Sequence, residues 1–116
     1  MPFGPYLIHK FLKGQNQSPY LLNKFYVAGF QYYKGSSLIN KMIAGEELEL
    51  RAEPENNYDK FAVSIHRKGV MVGHIPRSDN KHISRLLQQS AELTCKVKEV
   101  HPGRETWKMC KVEIYL

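Results

Sequence analysis

Polar and apolar positions alternate along Glu47-Leu48-Glu49-Leu50-Arg51-Ala52 and again along Phe61-Ala62-Val63-Ser64-Ile65, the period-two pattern of half-buried strands. The segment between them, Glu53-Pro54-Glu55-Asn56-Asn57-Tyr58-Asp59-Lys60, reads as a turn, because Pro54 has no N–H for a sheet ladder and Asn56-Asn57 tolerate turn geometry. Tyr58 and Asp59 are therefore expected at the mouth of the second strand. Upstream, Phe25 to Phe30 is rich in aromatic and β-branched residues and predicts the first strand, with Gly29 as a bulge or a point of close backbone approach. Ser36 or Ser37 then caps a short helix whose apolar stripe is Leu38, Ile39, Met42 and Ile43, closed by Gly45.

Downstream, Lys68-Gly69 predicts a turn and Val70 to Ile75 a strand that stops at Pro76. Ser78, Asp79 or Asn80 caps a second helix, with Ile83, Leu86 and Leu87 on its apolar face and Lys81 and Arg85 on a different, solvated side. Glu92 to Val100 and Thr106 to Tyr115 complete the pattern as a hairpin through His101-Pro102-Gly103-Arg104. Six short strands and two short helices predict a mainly β fold, a small curled barrel of OB-like or SH3-like form over residues 25–116. Residues 1–24 lack clean periodicity and read as an irregular N-terminal arm that packs Phe3, Tyr6, Phe11 and Tyr20 on the barrel.

The chain has 116 residues, enough for one domain with a modest core. It carries no apolar run of about 18 residues, and Pro2, Pro5 and His9 interrupt what a secretory signal would need, so a cytoplasmic protein without a membrane segment is expected. Seventeen Lys and Arg against eleven Asp and Glu give a net charge of +6, which favours a polyanionic partner. The distribution says more than the sum. Glu46, Glu47, Glu49, Glu53, Glu55 and Asp59 cluster in one stretch, whereas residues 60–116 hold eleven basic residues and five acidic ones. A solvated basic face and a phosphate-tracking surface both fit that pattern. Cys95 and Cys110 are too few for a disulfide scaffold or a four-ligand zinc site and read as buried free thiols, although the hairpin would bring them near each other.

Several side chains are candidates for nucleic-acid contact. Tyr32 and Tyr58 are candidate platforms for stacked bases; packing into the barrel wall is the alternative. Asp59 is a poor neighbour for a phosphate but a good acceptor for a terminal hydroxyl, and the alternative is a turn aspartate bonding its own backbone. Lys60, His74, Arg77, Lys81 and Arg85 are candidate phosphate contacts, and Gln31 can hydrogen-bond a base edge. Lys60 has a structural alternative as the partner of Glu53 or Glu55.

Three ordered blocks resemble the motifs of the HIRAN domain family: Phe25-Tyr26-Val27-Ala28-Gly29-Phe30-Gln31-Tyr32-Tyr33-Lys34-Gly35, then Glu53 to Val63, then Val72-Gly73-His74-Ile75-Pro76-Arg77. The resemblance covers roughly Lys24 to Leu116. It implies a pocket for the free 3′ end of single-stranded DNA, lined by Tyr32 and Tyr58, with Asp59 reading the 3′ hydroxyl and Arg77 and His74 approaching the backbone. Two positions depart from the pattern. Asn57 stands where the family often has proline, and Gln31 where the eukaryotic fork-remodelling relatives carry arginine.

The reading that results is a non-catalytic DNA-binding module for single-stranded 3′ ends, acting in repair or stalled-fork processing beside repair or replication proteins. No cofactor is called for. A protein-interaction module that docks a partner through residues 1–24 is the rival, and a metal-dependent nuclease using Glu53, Glu55 and Asp59 with Lys60 is a third reading. Its carboxylates sit in a turn beside a proline, with no later acidic cluster to complete a site. The chain also lacks a Gly-x-x-x-x-Gly-Lys-Ser/Thr loop for nucleotide hydrolysis.

Overall fold

The computed structural model describes residues 20–116. The expected packing of Phe3, Tyr6 and Phe11 lies outside the described residues. Six strands form among the residues described: β1 (Leu21–Tyr26), β2 (Glu47–Ala52), β3 (Val63–Arg67), β4 (Val70–His74), β5 (Thr94–Val100) and β6 (Cys110–Tyr115). They make one antiparallel sheet in the order β1-β6-β5-β2-β3-β4.

The sheet curls because its two ends meet. Just beyond β1, Ala28 pairs with His74 at the end of β4: the Ala28 N–H donates to the His74 carbonyl at 2.8 Å, and the His74 N–H returns a bond to the Ala28 carbonyl at 2.9 Å. Gly73 permits this approach. A Cβ there would lie 2.5 Å from both the Ala28 carbonyl oxygen and Val27 Cγ1. The result is the mainly β, OB-like barrel expected from the sequence.

Alternation along the strands fills the interior. Val63 and Ile65 of β3, Val72 of β4, Cys95 and Val97 of β5, and Cys110, Val112 and Ile114 of β6 are buried. Helix α2 (Asn80–Gln88) covers part of this core with Ile83, which is fully enclosed, while Leu87 packs at the margin. Both cysteines are buried and unbridged. Burial pushes the Cys110 thiol up to about 12 and the Cys95 thiol higher still.

Several boundaries differ from the sequence expectation. β1 begins at Leu21, inside the stretch expected to be irregular, and ends at Tyr26. Backbone pairing with β6 along Asn23–Tyr26 decides this, and it does not require a strongly apolar strand. Gly29 then adopts a left-handed conformation, φ 69°, and starts a 3-10 turn, Phe30–Tyr32, that drops Phe30 into the core. The first helix is only α1 (Gly35–Leu38), continued by a 3-10 turn, Ile39–Lys41. Ile39 and Met42 are buried, but Ile43 lies past the last turn and is 68% exposed, so it does not belong to the apolar stripe. Phe61 and Ala62 precede β3 rather than opening it, and Thr106–Lys108 form a 3-10 turn before β6. No helix among the described residues is long and apolar enough to cross a membrane.

Candidate nucleic-acid interface

The loop from Glu53 to Ala62 is held by its own side chains. Asn56 organises it: Oδ1 accepts from the N–H groups of Tyr58 at 2.8 Å and Asp59 at 3.0 Å, and Nδ2 donates to Glu53 Oε1 at 3.1 Å. His74 Nε2 donates to the same Glu53 oxygen at 3.1 Å, which ties the loop to the end of β4. At Glu53, burial pushes the pKa up, but the bonds from His74 and Asn56 outweigh it and hold the carboxyl below its usual range.

Asp59 is fixed at both oxygens. Oδ1 accepts from the Phe61 N–H at 2.9 Å, and Oδ2 accepts from Asn80 Nδ2 at 2.8 Å, with Arg77 Nε 3.7 Å away. Those two hydrogen bonds, foremost the one from Phe61, and then the nearby Arg77 charge keep its carboxyl below the usual carboxylate range. The carboxylate is thus an acceptor with lone-pair capacity to spare, since two oxygens offer about four acceptor sites. The local turn bond expected as an alternative role is therefore present together with a long-range one.

Around Asp59 opens a pocket of about 440 Å3, bounded by Gly29, Tyr32, Tyr33, Tyr58, His74 and Arg77 among others. Tyr32 is 79% exposed and Tyr58 89%, so neither ring packs into the barrel wall. Tyr33 leans on the His74 ring with centroids 5.4 Å apart and steadies that side. Arg77 bonds the Tyr58 carbonyl through Nη2 at 3.4 Å, yet its side chain remains 75% exposed.

A family model for the HIRAN domain matches residues 22–116. The chain belongs to the HIRAN domain family. HIRAN domains are DNA-binding domains. The fold agrees with two solved structures. One is a crystal structure of a protein from Lactobacillus plantarum, at 20% identity over 84% of this chain and 94% of that one, with a TM-score of 0.72. The other is the HIRAN domain of human HLTF, at 20% identity over 84% of this chain and 77% of that one, with a TM-score of 0.64. No curated protein matches the chain.

Within this HIRAN fold, the nine residues singled out from the sequence do not form one site. Tyr32, Tyr58, Asp59, His74 and Arg77 all line the pocket. Gln31 is exposed on the same 3-10 turn as Tyr32 but is not among the lining residues. Lys60, Lys81 and Arg85 do not line the pocket: their charged groups lie 5.3, 5.4 and 5.4 Å from the Phe61 ring centroid. Lys60 is not the partner of Glu53, whose carboxylate is bonded to His74 and Asn56. Asp79 is the N-cap of α2, but its carboxylate bonds Asn23 and Ser78 rather than the helix backbone. Among the described residues no three His, Cys, Asp or Glu side chains converge as metal ligands, so the Glu53, Glu55 and Asp59 grouping is not assembled.

Sequence reasoning passed over Asn56 and Asn80 as site residues. Asn56 was legible only as a turn former. Asn80 was legible only as a cap candidate, because its bond to Asp59 is made across 21 residues.

Proposed function

We propose that this HIRAN domain is a non-catalytic module that captures the free 3′-hydroxyl end of single-stranded DNA, in repair or in the processing of stalled replication forks. The observation that carries the reading is Asp59: an ionised carboxylate held by hydrogen bonds at both oxygens, in a pocket that it lines together with two tyrosines open to solvent. A terminal hydroxyl can donate to that carboxylate. An internal nucleotide or a 3′-phosphate places an ester oxygen and phosphate oxygens there instead, which have no proton to donate to the carboxylate and whose negative charge it repels.

Tyr32 and Tyr58 supply stacking surfaces for the terminal bases, each worth about 1–3 kcal/mol. Arg77, exposed and near Asp59, offsets the carboxylate's charge and offers its guanidinium to the phosphate on the 5′ side of the terminal sugar. His74 carries a proton on Nε2 because the Glu53 carboxylate can only accept, so it holds the loop rather than a base.

The test is fluorescence anisotropy of a labelled single strand ending in a 3′ hydroxyl against the same strand ending in a 3′ phosphate, with chelator and at two salt concentrations. Tighter binding of the hydroxyl strand is expected, with affinity falling as salt rises. Equal binding of the two strands removes the end-reading role, and binding of neither at low salt removes the DNA reading in favour of a protein partner.

A further inference from the structure

Lys60, Lys81 and Arg85 come from two different elements and meet at one aromatic ring. The ammonium groups of Lys60 and Lys81 lie 5.3 and 5.4 Å from the Phe61 centroid, and the Arg85 guanidinium lies 5.4 Å from it. All three are exposed, and among the described residues none is in an ion pair. Cations gathered around one ring repel one another, and contact with that ring offsets only part of the repulsion. An anion among them would relieve it.

Room for one is present. An open depression of about 390 Å3 is lined by Pro54, Lys60, Phe61, Arg85, Gln88 and Gln89. Its rim holds cations and side-chain amides and no carboxylate, the donor set that phosphate oxygens require. It shares no lining residue with the Asp59 pocket. The two are joined by one framework, because the Phe61 N–H bonds Asp59, and Asn80, the neighbour of Lys81, bonds Asp59 as well.

We infer that Lys60, Lys81 and Arg85, with the amides of Gln88 and Gln89, form a second phosphate-binding subsite that grips the nucleic-acid backbone away from the 3′ end. The inference rests on the reading that the Asp59 pocket takes a DNA terminus. It adds a length requirement: a very short strand fills the pocket alone, whereas a longer one also reaches the Phe61 face. The phosphodiester held there comes either from the same strand, several nucleotides back, or from the complementary strand of a duplex.

The experiment compares the intact chain with the double variant Lys81→Gln/Arg85→Gln. Both residues are exposed and outside the pocket. Anisotropy is read for 3′-hydroxyl strands of about three and about twelve nucleotides, and for a duplex with a short 3′ overhang, each across a salt series. The double variant is expected to lose about tenfold in affinity at low salt for the longer substrates, and to show a salt slope shallower by about 1.4 on the long single strand. Its affinity for the shortest strand stays within about twofold, and its preference for hydroxyl over phosphate ends is kept. Loss on the long single strand assigns the phosphates to the same strand, and loss confined to the duplex assigns them to the complement.

No loss on either longer substrate, or an equal loss on the shortest strand, overturns the subsite. Failure of the two readings is separable. If the intact chain does not distinguish hydroxyl from phosphate ends but the variant still loses affinity with length, the end reading falls and the subsite stands. Discrimination of ends without any length-dependent loss is the reverse.

Discussion

Asn80 Nδ2 donates to Asp59 Oδ2 at 2.8 Å, and with Asn80 only 4% exposed the donor cannot swing away to water. This bond fastens the first turn of α2 to the loop that carries Tyr58 and Asp59. It fixes which way the carboxylate of this pocket-lining residue faces, and leaves acceptor capacity on it to spare.

Replacing Asn80 with alanine should therefore act on selectivity as well as stability. The expected outcome is a loss of about 1 kcal/mol of folding stability, the usual worth of one such bond, measured by urea unfolding. The hydroxyl-over-phosphate affinity ratio should fall in the same variant while total binding at low salt changes less. An unchanged ratio would mean that Asp59 needs no support from α2.

The pH dependence follows from the direction of two shifts. Asp59 and Glu53 both have lowered folded-state pKa values. Each therefore contributes stability that is fully present above the unfolded carboxylate values of about 3.9–4.3 and is lost as pH falls through the lower folded value. Stability from these two groups should be flat between about pH 5 and 8 and decline below about pH 4. Asp59→Asn and Glu53→Gln should each flatten that acid limb in urea midpoints collected across the range.

Closure of the barrel depends on Gly73, so Gly73→Ala forces a Cβ to within 2.5 Å of the Ala28 carbonyl. The Ala28–His74 bridge must open, at a cost of about 1–3 kcal/mol. Because Gly29 and His74 border the pocket, end discrimination should weaken too, even at temperatures where circular dichroism shows the variant folded. Retained discrimination with full stability would show that the bridge does not shape the pocket.

Much of the barrel was legible because strand pairing and alternation are local. β2 occupies the residues its pattern predicts, Glu47–Ala52, and the Lys68-Gly69 turn appears with positive φ at both positions. Ile83 was placed correctly on the buried face of α2. β1 was misplaced because the aromatic run from Phe25 to Tyr33 looks like strand, while the left-handed Gly29 converts its second half into a turn that buries Phe30. Ile43 was misplaced because helical periodicity says nothing about where a helix ends.

The candidate site was legible in part. Tyr58 and Asp59 stand beside each other in the chain, and their turn is set by Asn56 only two and three residues away. By contrast, the Asp59–Asn80 bond and the gathering of Lys60, Lys81 and Arg85 at Phe61 exist only once α2 is docked. Read from the sequence, Lys60, Lys81 and Arg85 join Asp59 as candidate DNA contacts. Their positions divide that set between the Asp59 pocket and the surroundings of Phe61.

Burial sets the behaviour of the thiols. Cys110 is pushed up to about 12 and Cys95 beyond it, so neither is a thiolate near neutral pH. Alkylation by iodoacetamide at about pH 8 should be slow in the native protein and should accelerate in urea in step with unfolding. Rapid native-state labelling would require an opening that the packed β5–β6 hairpin does not provide.

The most direct test of the central claim is the ratio of affinities for 3′-hydroxyl and 3′-phosphate strands in the intact domain, in Asp59→Asn and in Arg77→Ala. The account predicts a clear hydroxyl preference that collapses toward unity in Asp59→Asn, while Arg77→Ala weakens both strands alike and keeps the preference. Equal effects of the two substitutions, or a preference that survives the loss of the Asp59 charge, would contradict the assignment of Asp59 as the reader of the end.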